Sequence, residues 1–479
     1  MSKKKLILMY PNLRWQKEDI VTTWHLNPTT LCLLAAMVRD DVELKIIDAQ
    51  FYNMTREEFK NEVDAYRPDY VGISVLTSEY QDILDIASAL VKSISDNIIV
   101  IAGGVHVTTM PEYVMNNKNI DYSVIGEGEY VLKGLIMYLN GEGRLPEEGL
   151  AYRKDGKVVI QKRSLVNDLT KLPRPAYDLV DFKLYTKSEQ RSFNSQRPPE
   201  YPFVRMVTTR GCPFGCVFCQ VDMISGKRVR ARDPKDVVDE LSFLKKEYNI
   251  RSVFFDDDNI LMGKDDYAKK LFKLMIDRRL GLKWVGISVA LFALTEELLD
   301  LMKESGCVEV NVAIESGNER VLREVVKKPI KDLKAVPDMI KKIKDRRISC
   351  IANIVIGFPG ETWDEIRESI SFAEHCGADY IKIFVAVPLY KTELYNLAMR
   401  MNLLECKDGF PTVDWRYGQI KSNEWTPKDI SILRAYEWDR INFAPDRIEK
   451  VAGMFGVSKD DLKVIRKKTR DNLFFEEAS

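Results

Sequence analysis

Long apolar runs are missing from this 479-residue sequence: stretches such as Leu31 to Val38 or Ile98 to Ala102 fall far short of the roughly 20 residues that cross a bilayer, so no membrane span is expected. The amino terminus, MSKKKLILMYPN, imitates a secretory signal with its lysines. Its apolar stretch, however, runs only from Leu6 to Tyr10 before Pro11 stops it, and a cytoplasmic protein is expected. Excess charge is missing too. The 72 Lys and Arg cancel the 72 Asp and Glu, which removes any global electrostatic drive toward nucleic acid or an anionic membrane, and no nucleic-acid partner is expected. A disulfide framework is the third absence, because eight cysteines in so long a chain make no scaffold and a reducing compartment keeps them as thiols.

The remaining composition, 45% hydrophobic and 30% charged, is that of an ordinary globular chain too long for one typical domain. Short β-branched runs at Lys5 to Tyr10, Val42 to Asp48, Tyr70 to Leu76, Asn97 to Gly103 and Asp121 to Ile125 alternate with stretches of helical spacing. This alternation predicts a parallel sheet covered by helices, a flavodoxin-like or Rossmann-like domain over residues 1–145 whose ligand sits at the carboxyl ends of the strands. Residues 146–200 break the rhythm. They hold a hairpin turning at Asp155-Gly156 and a proline-rich stretch, and read as a packed linker that keeps Tyr177, Leu179, Phe182 and Tyr185. Over residues 201–395 the alternation restarts with strands at Val204 to Thr209, Ser252 to Asp256, Trp284 to Val289, Glu309 to Glu315, Cys350 to Phe358 and Tyr380 to Val387. Six such units suggest a partial (β/α)6 barrel with its chemistry at the strand carboxyl ends. Residues 396–479 read as a helical, charged C-terminal region. The fold class is α/β throughout.

Five cysteines are scattered, at Cys32, Cys307, Cys350, Cys376 and Cys406, whereas Cys212, Cys216 and Cys219 share one loop after the first strand of the second unit. A given three-cysteine spacing arises by chance only about 0.002 times in such a chain. Gly211 and Gly215 let that loop wrap tightly. A structural zinc site wants four ligands, usually as two pairs, and no second pair is present. A conventional four-iron cluster also wants four cysteines, so three thiolates leave one metal position open for chemistry.

The Cys212-Pro-Phe-Gly-Cys216-Val-Phe-Cys219 loop, ahead of six βα units, resembles the radical S-adenosylmethionine superfamily. The resemblance implies a 4Fe-4S cluster with Cys212, Cys216 and Cys219 as ligands and S-adenosylmethionine on the fourth iron, where one electron cleaves it to methionine and a 5'-deoxyadenosyl radical. It further implies an adenine contact near Phe218. Phe255-Asp256-Asp257-Asp258 ends the second strand where the family commonly places carboxylates near S-adenosylmethionine or substrate. Ala313-Ile-Glu-Ser-Gly317 is similar to the family's GIESG-like segment, making Glu315 and Ser316 candidate contacts to the ribose or the methionyl amine. Ile356-Gly-Phe-Pro-Gly-Glu361 ends the fifth strand, and Gly357 is a candidate for close approach by the adenosyl group.

In the first domain, Ser74 and Leu76 of Gly72-Ile-Ser-Val-Leu76 and the pair Gly103-Gly104 resemble the SxL and GG segments of cobalamin-binding domains. There they line the channel for the nucleotide tail. Ile125-Gly-Glu-Gly-Glu129 extends the similarity to fused cobalamin and radical S-adenosylmethionine proteins. The DxHxxG motif that supplies a histidine to cobalt in other cobalamin proteins is absent. His25 and His106 are therefore expected to be structural or corrin-edge residues, and the resemblance implies cobalamin without a protein histidine on the metal.

Together these resemblances imply a methyltransferase acting on an unactivated carbon through the 5'-deoxyadenosyl radical and a methyl group carried on cobalamin. They imply a small-molecule or biosynthetic-intermediate substrate and an electron donor such as flavodoxin or ferredoxin. One alternative is an oxidoreductase or cyclase of the anaerobic Mg-protoporphyrin ester type, and another is a non-catalytic corrinoid or iron-sulfur sensor. Two features stay open on sequence grounds. The cations of Gly226-Lys-Arg-Val-Arg-Ala-Arg232 fit an anionic substrate, the cobalamin phosphate or a solvated turn. The tail aromatics Trp415, Tyr417, Trp425, Tyr436 and Trp438 fit a substrate wall or, more readily, core packing.

Overall fold

The computed structural model describes residues 3–16, 27–76, 81–187, 198–330, 332–404 and 415–471. The first sheet has strands β1 (Lys5–Tyr10), β2 (Glu43–Asp48), β3 (Tyr70–Ser74), β4 (Ile99–Gly103) and β5 (Tyr122–Val124), all parallel. The hairpin of β6 (Leu150–Lys154) and β7 (Lys157–Ile160) adds two antiparallel strands, giving the order β2-β1-β3-β4-β5-β6-β7. The hairpin turns at Asp155-Gly156, both at positive φ. The reversal of strand order between β1 and β3 is the flavodoxin-like pattern, and it places a crevice at the carboxyl ends of β1, β3 and β4. Both faces of the sheet are buried, one beneath Phe59, Leu84 and Val91, the other beneath Leu31, Leu132 and Leu135. Helix Arg56–Tyr66 starts where Thr55 and Glu58 form a reciprocal capping box.

The second sheet is wholly parallel: β8 (Phe203–Met206), β11 (Ser252–Phe255), β12 (Lys283–Val289), β13 (Cys307–Glu315), β14 (Ser349–Ile356) and β15 (Tyr380–Val385) lie in chain order. A separate two-residue ribbon pairs β9 (Thr209–Arg210) with β10 (Arg230–Ala231). The six-stranded sheet does not close, so β8 and β15 carry free edges that would template unwanted pairing if left bare. Both edges are covered. Asn27, from the first domain, accepts from the Arg205 backbone N–H at 2.8 Å, and Asn442, from helix Pro427–Asn442, pairs with both the N–H and the carbonyl of Ile381. The C-terminal helices thus complete the barrel's open side.

The linker is packed where it is described: Tyr177, Phe182 and Tyr185 are buried, with the Tyr177 hydroxyl 2.5 Å from Glu240 and that of Tyr185 3.2 Å from Asp48. Among the tail aromatics, Trp425 and Trp438 are core residues, their indole N–H groups bonded to the Glu361 carbonyl and the Tyr380 hydroxyl. Trp415 and Tyr436 are exposed. Short helices escape sequence reading, among them Val105–Thr109 and Val221–Ile224. Val105–Thr109, rich in β-branched residues, is helical because it follows Gly104 and is held by the fold against its own propensity. Among the described residues no helix is long and apolar enough to cross a membrane.

Candidate functional site

The cysteine loop leaves β9 and is pinned by the backbone on both flanks. The Cys212 N–H donates to the Gly226 carbonyl at 3.1 Å, and the Val217 N–H donates to the Val326 carbonyl at 3.2 Å. Gly211, at φ 94°, must be glycine: a Cβ there would lie 2.5 Å from the Arg228 carbonyl oxygen. Cys212, Cys216 and Cys219 are free and partly exposed, whereas Cys32, Cys307, Cys350 and Cys376 are buried. Burial pushes all three loop thiols up, Cys219 to about 12. Among the described residues no three His, Cys, Asp or Glu side chains close on one point where a single ion sits. A cubane spreads three thiolates over three irons, so the donor set fits a cluster better than zinc.

The three aspartates after β11 do something sequence reading missed. Asp258 bonds the start of the cysteine loop, and Asp256 and Asp257 hold the strand and turn that lead into it. Asp256 forms a two-pronged pair with Arg205. One oxygen of Asp257 accepts from the N–H and hydroxyl groups of both Thr208 and Thr209, and Asp258 accepts from the Gly211 N–H at 2.7 Å. Burial raises Asp257 to about 6. Asp256 is thus tied to strand β8, Asp257 to the β8–β9 turn and Asp258 to the start of the loop.

Glu315 ends β13 at φ 75°, a left-handed conformation that a non-glycine residue holds only under constraint. Its carboxylate is buried and lies 3.0 Å from the Lys328 ammonium, a residue without any motif to mark it. Ser316, expected alongside, faces the other way. It is fully buried, its hydroxyl 2.8 Å from that of Ser369 on the outer helix Trp363–His375. Phe218 packs on Phe358 with ring centroids 6.0 Å apart. Gly357 has φ 86°, and the space a side chain would take there is filled by Ile430 at 3.0 Å. The glycine thus lets the C-terminal helix approach. The turn is held by Glu361, which accepts from the N–H groups of Gly357 and Phe358 while its other oxygen is buried without a partner.

Burial raises Glu361 to about 8. Its carboxyl binds protons more tightly when folded than unfolded, so its contribution to stability is complete below about 4.5 and declines as pH rises toward about 8. Thermal melts from pH 4.5 to 9 should show this loss in the native protein and a shallower pH slope in Glu361→Gln. Identical slopes would contradict the assignment.

At the carboxyl ends of β3 and β4, the sequence-predicted residues come together. The Val75 N–H bonds to the Gly103 carbonyl at 3.0 Å, Ser74 is half-buried and Leu76 is 44% exposed. Gly104 has φ 104°, and a Cβ there would lie 2.1 Å from the Val75 carbonyl oxygen. A Cβ on Gly103 would meet nothing closer than 4.0 Å. An exposed leucine beside an open glycine backbone fits a large planar ligand of mixed polarity such as cobalamin. His106 is fully buried, held by Gln81 at 2.6 Å, with burial lowering it to about 4. Its other ring nitrogen is buried without a hydrogen-bond partner. His25 lies outside the described residues.

The two crevices meet. Helix Val105–Thr109, directly after Gly104, packs on helix Val221–Ile224, which starts two residues after Cys219. Glu127 and Glu129, of the Gly-Glu-Gly-Glu segment, grip two arginines of the β9–β10 ribbon: Glu127 binds Arg230 at 2.5 and 2.9 Å, and Glu129 binds Arg210 at 2.6 Å. Arg232 pairs with Asp236 and Glu240. Arg230 is thus an interdomain fastening and Arg232 a helix contact, while Lys227 and Arg228 are exposed.

Residues 206–373 match the Radical SAM superfamily and residues 24–136 match the B12 binding domain. An uncharacterized methyltransferase of Pyrococcus horikoshii is 33% identical over 90% of this chain and 91% of its own length. The chain belongs to the cobalamin-binding radical S-adenosylmethionine family. It is a radical S-adenosylmethionine enzyme whose family cofactors are a 4Fe-4S cluster, S-adenosylmethionine and cobalamin. The cytidylyl-2-hydroxyethylphosphonate methyltransferase of Streptomyces wedmorensis is 28% identical over 90% of this chain and 89% of its own. The anaerobic magnesium-protoporphyrin IX monomethyl ester cyclase of Rubrivivax gelatinosus is 24% identical over 82% and 69%. Methyl transfer is accordingly favoured over oxidative cyclisation. The solved fold is shared with the cobalamin-dependent enzyme OxsB (TM-score 0.73, 15% identity, 98% of this chain and 72% of that one). It is shared also with the methyltransferase TsrM of Kitasatospora setae (TM-score 0.67, 20% identity, 84% and 75%).

Proposed function

We propose that this chain methylates an unactivated carbon of a small-molecule substrate held between the two crevices. Cys212, Cys216 and Cys219 would hold the cluster, leaving the fourth iron for S-adenosylmethionine beside Glu315 and Phe218. Ser74, Leu76, Gly103 and Gly104 would line the cobalamin crevice. When bound, these groups supply the radical and the methyl group. The chain's own residues hold the loop, orient the crevices toward each other and exclude water. Asp257 and Asp258 act as positioning residues for the cysteine loop. The one observation that carries the reading is the packing of helix Val105–Thr109 on helix Val221–Ile224, which brings the ends of β3 and β4 next to the loop. A one-electron donor protein such as flavodoxin or ferredoxin and a cytoplasmic location suit a cluster that must be reduced before each radical is made.

Gly103→Trp tests the crevice assignment. A Cβ there meets nothing closer than 4.0 Å, and circular dichroism checks that the fold is retained while the indole blocks the open backbone. Cobalamin uptake should fall at least tenfold with an unchanged iron-sulfur absorption spectrum, and undiminished uptake would overturn the assignment.

A further inference from the structure

Lys328 and Glu315 form an ion pair beside the cysteine loop, whose Val217 N–H is bonded to the Val326 carbonyl two residues before Lys328. Asp258 is tied to the Gly211 N–H. Lys328 is placed by backbone, not by chance of side-chain reach. It follows the π-helical turn Val321–Val326, its N–H donates to the Leu322 carbonyl at 2.9 Å, and Val326 two residues earlier accepts from Val217 in the middle of the cysteine loop. The ammonium is 13% exposed and has a carboxylate partner in Glu315 at 3.0 Å.

A buried ion pair is costly to desolvate and is weak evidence for stability, so its position calls for another explanation. Reducing the cluster adds one negative charge in a partly buried, low-dielectric site, where a nearby fixed cation stabilises the reduced form and a nearby anion opposes it. We propose that Lys328 sets the reduction potential of the cluster, with Glu315 holding the ammonium against the cysteine loop and moderating its charge. This rests on the assignment of Cys212, Cys216 and Cys219 as cluster ligands. Lys328 is in this sense a positioning residue for an electron. The step is one electron from an external one-electron donor to the cluster, with no bond made or broken in the protein.

The test is a redox titration of the reconstituted holoprotein, followed by the paramagnetic signal of the reduced cluster, with iron and sulfide content measured on each sample. Lys328→Gln should lower the reduction equilibrium constant at least tenfold, about 59 mV more negative for one electron. Glu315→Gln, which keeps the cation and removes its counter-charge, should move the potential in the opposite direction. Lys328→Arg should return it to the wild-type value. Opposite signs distinguish a charge effect from loosened packing, which would displace both variants the same way. Unmoved potentials, or shifts of one sign, in variants with full iron content would overturn the proposal. If Lys328→Gln fails to assemble a cluster, the sign of the Glu315→Gln shift decides. A wild-type protein that assembles no cluster would instead overturn the ligand assignment.

Discussion

Alanine at Cys212, Cys216 or Cys219 is expected to abolish reductive cleavage of S-adenosylmethionine, with release of 5'-deoxyadenosine falling below detection in each of the three variants. The expectation follows from the absence of substitutes. The other described cysteines, Cys32, Cys307, Cys350 and Cys376, are buried in the two cores, and among the described residues no other group of His, Cys, Asp or Glu gathers to replace a lost ligand. The loop itself should survive the change, because its shape is held by backbone contacts to Gly226 and Val326 and by Asp257 and Asp258, not by the thiols. Circular dichroism and melting temperature should therefore stay close to wild type while the iron-sulfur absorption disappears. Full 5'-deoxyadenosine release from any one variant would remove that cysteine from the site.

Breaking the Glu127–Arg230 pair is the second large effect. Both side chains are nearly inaccessible, at 7% and 5% exposed, and Arg230 also donates to the Val166 and Ser225 carbonyls. Removing one partner leaves an uncompensated buried charge, which typically destabilises by roughly 3–5 kcal/mol. Glu127→Ala should therefore lower the denaturation midpoint strongly and loosen the contact between the first sheet and the β9–β10 ribbon. Glu127→Leu combined with Arg230→Met removes both charges and should recover part of the loss, the remainder reflecting the contacts of Glu127 to Arg210 and to the Val166 N–H. Chemical denaturation of the two variants checks this, and a double variant as unstable as Glu127→Ala would show that the pair's hydrogen bonds to the linker matter more than its charges.

What sequence could show was local, and what it could not show was paired across distance. The alternation of β-branched runs placed the strands because burial on both faces of a parallel sheet writes a continuous apolar signal. The cysteine loop was legible because its three functional side chains lie within eight residues, and so were the Gly103-Gly104 bend and the adjacent Ser74 and Leu76. The Gly-Glu-Gly-Glu segment and the basic run were both noticed, yet Glu127 and Arg230 are 103 residues apart, and no local pattern says they neutralise each other. Lys328 was invisible for the same reason, standing beside another lysine in an unremarked turn. Ser316, next to Glu315 in the sequence, bonds Ser369, 53 residues on, a partner that no local pattern marks. The helix Val105–Thr109 was missed because its residues favour strands, and only tertiary packing overrides that preference.

The most direct test of the central claim is product analysis after anaerobic reconstitution with iron, sulfide and cobalamin, followed by reduction in the presence of S-adenosylmethionine. A methyltransferase with both crevices loaded consumes S-adenosylmethionine in two ways, so S-adenosylhomocysteine and 5'-deoxyadenosine should both form, and omission of cobalamin should remove the former alone. 5'-Deoxyadenosine without S-adenosylhomocysteine, whether or not cobalamin is present, would contradict methyl transfer and favour the cyclase chemistry. Neither product from a protein carrying its full complement of iron would contradict the enzymatic reading altogether.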